Sequence, residues 1–240
     1  MKRWFPLLLL AWCAAAQAGL EQLRYLSEEY PPFNYTGSDG KPAGIAVNLL
    51  REVWQQTGTA PQPVSLLPWA SAYFQLTQQR DVVLFSTART KAREPLFKWA
   101  CPIGQVEMVL LGLSSAAIKL DTLDDARRYR IAAVQSDVGE QLLLSQGFDE
   151  QQLHLVSLLP EALELLQTGK VDLISTNRAT VFALISDNKL PLEHFTSVWT
   201  LSAEPLCFAF SPGIDDALVA EFQAALTRIS SERSEPPLPR

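Results

Sequence analysis

The stretch Val82-Val83-Leu84-Phe85-Ser86-Thr87-Ala88-Arg89-Thr90-Lys91-Ala92-Arg93 passes from four consecutive apolar residues straight into hydroxyls and two arginines. A short apolar run of this kind reads as a strand buried on both faces, the pattern of a parallel sheet covered by helices. In open α/β sheets a ligand sits just beyond the carboxyl ends of such strands. The donors after Phe85 therefore fall where a ligand would be. An arginine fork binds a carboxylate through two parallel hydrogen bonds, and Ser and Thr hydroxyls with free backbone N–H groups complete such a shell. An exposed basic turn is the plainer reading of the same residues.

The flanking chain repeats the alternation of strand and helix. Residues 22–27 and 63–66 read as strands. Between them Ile45, Leu49, Leu50, Val53 and Trp54 recur at helical spacing and Gly58 offers a C-cap, which predicts a helix over Ile45–Thr57. A helix over 70–79 precedes the strand 82–85. The rhythm returns with strands at 130–134, 154–157 and 171–175 and helices at 138–146, 161–168 and 178–186, so two α/β units with mostly parallel sheets are expected. Residues 99–113 and 205–210 read as extended segments, and 215–229 as a last helix. The simplest arrangement is a two-lobed α/β clamp: residues 19–103 plus 205–240 as lobe 1, residues 104–204 as lobe 2, and two hinge strands joining them. Ser231 to Arg240, with three prolines, reads as a disordered tail.

Residues 1–18 carry Lys2 and Arg3, an apolar core from Trp4 to Trp12, and the small-residue ending Ala16-Gln17-Ala18. That is the pattern of a cleaved secretory signal peptide, with a core too short to span a bilayer, and it places the mature protein in the periplasm without a stable membrane anchor. Removing Lys2 and Arg3 with the leader leaves 18 basic against 26 acidic side chains, a net charge of −8. Such a balance argues against nucleic acid as a partner, so any anionic ligand must be drawn by local arginines. Cys101 and Cys207 remain in a compartment that permits disulfides. A bridge between them and two buried free thiols are both open readings. No metal-ligand spacing, Walker loop or GxGxxG occurs, and His154 and His194 belong to no catalytic pattern, so no cofactor or metal is expected.

Several motifs, in order, carry a family resemblance: Tyr30-Pro31-Pro32-Phe33, Gly40 with Gly44, Pro68-Trp69, Thr90-Lys91-Ala92-Arg93, Phe97-Lys98-Trp99, Val134-Gln135-Ser136 and Leu166-Gln167-Thr168-Gly169-Lys170-Val171-Asp172. The chain resembles the periplasmic solute-binding proteins of the polar amino acid branch, the third bacterial extracellular solute-binding family, across nearly all of its mature length. The resemblance implies a type II periplasmic-binding-protein clamp. Such a protein closes as a monomer on a small solute, an amino acid or related carboxylate, and presents the closed form to an ABC-type transporter or to a sensor. Carried over by position, Arg93 grips the ligand carboxylate, assisted by Ser86 and the backbone near Ala88. Tyr30 and Trp69 are aromatic walls. Ser136 and Asp137 offer a helix N-terminus, and Asn177 faces the ligand from lobe 2.

Two departures matter. The family places a carboxylate for the ligand ammonium where this chain has Asn177, and a hydroxyl where it has Ala88. Either Glu28, Glu29 or Asp137 substitutes, or the ligand is not an ordinary α-amino acid. Arg89, an additional candidate contact beside Arg93, favours a ligand more negative than a zwitterion. The family also adds a further C-terminal helix, whose loss here would expose part of lobe 1. The expected function is binding rather than catalysis. The enzymatic alternative on this fold, a dehydratase or lyase, would need Glu28, Glu29 or Asp137 as general acid.

Overall fold

The computed structural model describes residues 19–234; the expected leader (1–18) and the last part of the expected tail (235–240) lie outside the described residues. In chain order come β1 (Arg24–Ser27), a small hairpin of β2 (Tyr35–Thr36) and β3 (Pro42–Ala43), α1 (Ile45–Thr57), β4 (Val64–Leu66), α2 (Trp69–Gln78), β5 (Val82–Ala88) and β6 (Lys98–Leu113). They are followed by β7 (Ile131–Val134), α3 (Val138–Ser145), β8 (Leu153–Val156), α4 (Leu159–Gln167), β9 (Leu173–Asn177), α5 (Arg178–Asp187), β10 (Phe195–Phe210) and α6 (Asp216–Ser234).

The strands form one eight-stranded sheet in the order β4-β1-β5-β10-β6-β9-β7-β8. In its first half β1 lies parallel between β4 and β5, and in its second half β7 lies parallel between β8 and β9. The sixteen-residue strands β6 and β10 run antiparallel to each other through the middle and belong to both halves. This is the mixed α/β clamp expected from the alternating pattern.

Strand alternation explains the unbroken apolar runs. Val83 and Phe85 face a core shared with α1 and α6, while Val82 and Leu84 face α2. In the second half Ala132 and Ile174 pack against α4 and α5, and Ile131 and Leu173 against α3. Successive side chains point to opposite faces, so a strand sandwiched between helices needs apolar residues at every position. Helix α1 has the bounds its periodicity predicts. Gly58 closes it at φ 70°, in the left-handed region that glycine enters without steric cost. At the other end Gly44, at φ 116°, lies so close to Phe33 that a Cβ would come within 2.4 Å of its carbonyl oxygen. That approach lets the carbonyls of Pro32 and Phe33 take the first free N–H groups of α1, from Ile45 and Ala46. It also fixes the Tyr30 loop against the helix.

Three boundaries depart from the sequence reading. β5 continues to Ala88, buried at every position, so Ser86 and Thr87 lie inside the sheet rather than beyond it. β10 begins at Phe195, ten residues before its expected start at Pro205. A proline is tolerated there because the pairing with β5 begins only at Leu206, and Pro205 contributes just its carbonyl, to Arg89 N–H. Helix α6 runs through Ser234, past the expected end at 229, so residues 231–234 are helix rather than tail. Its Phe222, Leu226 and Ile229 are buried, and Arg233 pairs with Glu52 of α1.

Cys101 and Cys207 are joined, with Sγ atoms 2.07 Å apart. The link sits where the β6–β10 register shifts, between the pairs Leu206–Gly104 and Phe208–Ala100. Pro102, which cannot donate to a ladder, occupies the irregular stretch.

Candidate functional site

Arg93 lies between the two halves, only 1 % exposed. Its guanidinium carbon stands 4.9 Å from the Trp69 ring centroid and 5.2 Å from that of Tyr73. Those two rings are one turn apart on α2 and stack at 5.5 Å. Nε donates to Gln141 Oε1 at 2.9 Å and Nη2 to the Ser136 carbonyl at 3.3 Å, both in the second half. Nη1 is buried with no hydrogen-bond partner. The Ser136 carbonyl also accepts from Trp69 Nε1 at 2.7 Å and from Gln141 Nε2 at 3.1 Å, so one backbone oxygen collects two donors from the opposite half and one from its own. Burial pulls the Arg93 pKa down, and the fields of Asp137, Tyr73, Glu28 and Tyr30 work against that. A guanidinium nevertheless stays protonated. Charged hydrogen bonds contribute about 1.5–3 kcal/mol each and a desolvated cation–π contact about 2 kcal/mol, so this cluster is a major tie between the halves.

Facing Arg93 are acids. Glu28 follows β1 directly, and its carbonyl accepts from buried Asn34 at 2.6 Å. Its carboxyl is held well above the usual range, first by desolvation and then by Asp137, with Arg93 opposing. The Asp137 carboxyl is also raised by burial, against Arg93 and the Val138 N–H. Tyr30 is buried, and its hydroxyl lies against Thr180 and Asn177 in the field of both acids. Asn177 caps α5: Oδ1 accepts the Thr180 N–H at 3.0 Å, which leaves Nδ2 as the free edge of its amide. That Nδ2 and Thr180 Oγ1 are buried without hydrogen bonds of normal geometry.

The structure therefore brings Tyr30, Trp69, Arg93, Ser136, Asp137 and Asn177 together, and gives other sequence-named residues different work. The Ser86 hydroxyl donates to Asn34 Oδ1, with Ser86 at φ 57°. Ala88 is 4 % exposed, the last residue of β5, paired with Leu206. Arg89 turns outward: Nη2 pairs with Glu94 at 2.8 Å and the guanidinium rests 5.8 Å from the Trp99 ring centroid. It adds no positive charge beside Arg93, so the inclination toward a ligand more negative than a zwitterion loses its basis. The helix N-terminus expected to receive an anion carries the chain's own carboxylates instead. Asp137 accepts the Val138 N–H at 2.6 Å, and Glu140 accepts the Ser136 N–H. Glu29 is bonded to Thr36 on the rim of a separate cavity of about 570 Å³, bounded by Pro32 and Tyr35 on one side and Pro160 and Leu184 on the other. It is thereby removed from the interior acids. Asp172, at the entry to β9, forks with Arg130 at 2.8 and 3.0 Å and is structural.

Sequence reasoning passed over Asn34, Tyr73, Gln141 and Thr180. Helical spacing held the signal for two of them. Tyr73 is four residues beyond Trp69 and Gln141 four beyond Asp137, so each lies one turn along the same face.

The described residues include no helix long and apolar enough to cross a membrane, and no cluster of three or more His, Cys, Asp or Glu side chains able to hold a metal. No curated protein sequence matches the chain. Among solved structures it is similar to a histidine kinase sensor domain that itself resembles periplasmic binding proteins. The TM-score is 0.79 at 22 % identity, covering 89 % of this chain and 92 % of the relative's length. It is also similar to the arginine-, lysine-, histidine-binding protein ArtJ of Geobacillus stearothermophilus (0.77, 17 %, covering 89 % and 91 %). A third is holo ArgBP of T. maritima (0.74, 18 %, covering 90 % and 91 %). At these identities the likeness establishes the fold. The family model for the bacterial extracellular solute-binding proteins, family 3, matches residues 25–234, and the chain belongs to that family.

Proposed function

We propose that this protein binds a small carboxylate-bearing solute, an amino acid or a close relative, between the halves of its sheet. Closure then creates the form read by an ABC-type transporter in the periplasm. The observation that carries this reading is Arg93, a buried cation with one guanidinium nitrogen left unpartnered at the junction of the halves. The two halves correspond to residues 19–103 with 205–234 and residues 104–204, turning about β6 and β10. Trp69, Arg93 and Tyr30 act from the first, and Ser136, Asp137 and Asn177 from the second. Open and closed forms exchange, and a solute that touches both halves shifts the population toward closure by its extra contacts in that form. Nη1 alone is free in the closed arrangement, so Arg93 offers a single-nitrogen contact while its other nitrogens hold Gln141 and Ser136. The amino acids named for ArtJ and ArgBP support an amino-acid-like solute. The sensor-domain neighbour favours a second reading, in which the same closed form is presented to a receptor.

A thermal-shift screen of the chain from Gly19 onward against amino acids, keto acids and dicarboxylates tests the reading. A solute at a hundredfold excess over its Kd adds about 2.7 kcal/mol, or a rise of about 5–10 °C for a chain of this size. A saturable rise with one class is expected. No saturable rise with any class contradicts the proposal.

A further inference from the structure

We propose that Cys101 is the thiol through which the Cys101–Cys207 bridge is made in the folded chain, that Cys207 resolves it, and that Arg89 holds the Cys101 thiolate. The co-reactant is a small soluble disulfide, and the proposal does not depend on where the solute sits. The sheet places the two sulfurs differently. At Cys207 strand β10 lies between β5 and β6, and Cys207 is fully buried beside Thr87, Leu206 and Phe208, which are buried too. At Cys101 strand β6 has β10 on one side and no strand on the other, because its pairing with β9 begins only at Met108. Cys101 is accordingly partly exposed. A side chain completes that open edge: Gln223 of α6 accepts the Cys101 N–H at 2.7 Å and donates to the Cys101 carbonyl at 2.9 Å. These bonds hold the Cys101 backbone in place whether or not the bridge is made.

The charge beside the two sulfurs differs as well. Arg89, the residue after β5, donates from Nη1 to Cys101 Sγ at 3.8 Å. Its Nη2 is on Glu94 at 2.8 Å, so that acid tempers the cation's field at the sulfur without taking the donor that faces it. A neighbouring guanidinium favours the thiolate, apolar burial disfavours it, and the thiolate is the nucleophile. In the reduced fold Cys101 is therefore both the reachable thiol and the more ionised one. Its sulfur attacks one sulfur of R–S–S–R, that S–S bond breaks, and R–S⁻ leaves and takes a proton from solvent. The Cys207 thiol then gives its proton to solvent, attacks Cys101 Sγ and expels the second R–S⁻. Two thiols of the chain are oxidised to the bridge, and one disulfide is reduced to two R–SH. The reverse path is poor. An outside thiolate reaches only Cys101, and the group it must expel is the buried Cys207 thiolate, a leaving group that apolar surroundings make slow to depart. The bridge thus closes from the surface and is shielded once closed.

The test uses the chain from Gly19 onward, reduced with dithiothreitol and freed of it in the absence of air. Iodoacetamide in native buffer, read peptide by peptide by mass spectrometry, should alkylate Cys101 at least about tenfold faster than Cys207. With oxidised glutathione, Cys207→Ala should accumulate a mixed disulfide at Cys101, and Cys101→Ala should form one at Cys207 at least about tenfold more slowly. Arg89→Gln should slow both reactions of Cys101 at least about threefold, and Arg89→Lys should restore most of the rate, which a loss of packing alone would not allow. Equal rates at the two cysteines overturn the proposal, whether both thiols are open in the fold or the reduced chain has unfolded. A faster Cys207 overturns it as well. A Cys101 that stays equally fast in Arg89→Gln overturns the role of Arg89.

Discussion

Arg93→Ala should weaken solute binding about a hundredfold and lower the melting temperature even without solute, and Arg93→Lys should recover only part of either loss. Truncation removes the charged hydrogen bonds to Gln141 Oε1 and the Ser136 carbonyl, together with the cation stacked on Trp69 and Tyr73. It also removes the single nitrogen available to a carboxylate. One lost charged hydrogen bond to solute is worth about 1.5–3 kcal/mol, and a hundredfold change corresponds to about 2.8 kcal/mol, so the solute contact alone accounts for the effect. The stability loss comes from the other bonds and from the volume left behind. Lysine restores charge but not the planar fork that reaches two acceptors while lying flat on two rings. Calorimetric titration and thermal melting read the two losses separately. Unchanged affinity in Arg93→Ala would mean the solute sits elsewhere.

Removing the Cys101–Cys207 link should cost stability out of proportion to any change in binding. The two residues are 106 apart in sequence, so the bond closes a long loop in the unfolded chain. Loss of such a bond costs about 2–5 kcal/mol, which for a chain of this length is a fall of about 5–15 °C in melting temperature. Binding should change less than threefold. Cys207 pairs with Thr87 of β5, and Cys101 adjoins the Ala100–Phe208 pair, so both ends sit on first-half strand pairing. The link ties β6 to β10 beside the crossing without touching Arg93, Asp137 or Asn177. The double variant Cys101→Ala/Cys207→Ala, melted and titrated beside wild type, separates the two effects. A large loss of affinity with an unchanged melting temperature would reverse this assignment.

Much of the fold could be read from residue pattern because its helices and inner strands are locally consistent. α1 has a sustained apolar stripe and a glycine in the left-handed region at its end, and its bounds match the periodicity. β5 and β9 were readable as buried strands for the same reason, but their ends were not. Ser86 and Thr87 look like ligand donors to a sequence reader, whereas one is taken by Asn34 and the other by the Leu84 carbonyl. Residues 196–205 of β10 are all partly or fully exposed and end in Pro205, which removes both the burial signal and the pairing signal. In the site, Arg93 and Trp69 stood out by motif. The orientation of Asn177 and Arg89 did not, because each is set by a partner several residues away: the Thr180 N–H in one case, Glu94 and Trp99 in the other. Charge counting along the sequence therefore set Arg89 beside Arg93, where the structure pairs it with Glu94. The arginine that pointed to an anion lies outside it, and the acids inside it come from segments more than a hundred residues apart.

The most direct test of the closing clamp is a distance measured between spin labels placed at Gln78→Cys on α2 and Gln167→Cys on α4. Both positions are exposed, one in each half of the sheet. The measurement is made with and without a saturating amount of the solute that gives the largest thermal shift. The account predicts a broad or two-peaked distribution without solute that collapses onto the shorter distance when solute is added, and a failure to collapse in Arg93→Ala. A single distance that solute leaves unchanged in the wild-type chain, despite saturable binding, would contradict closure around Arg93.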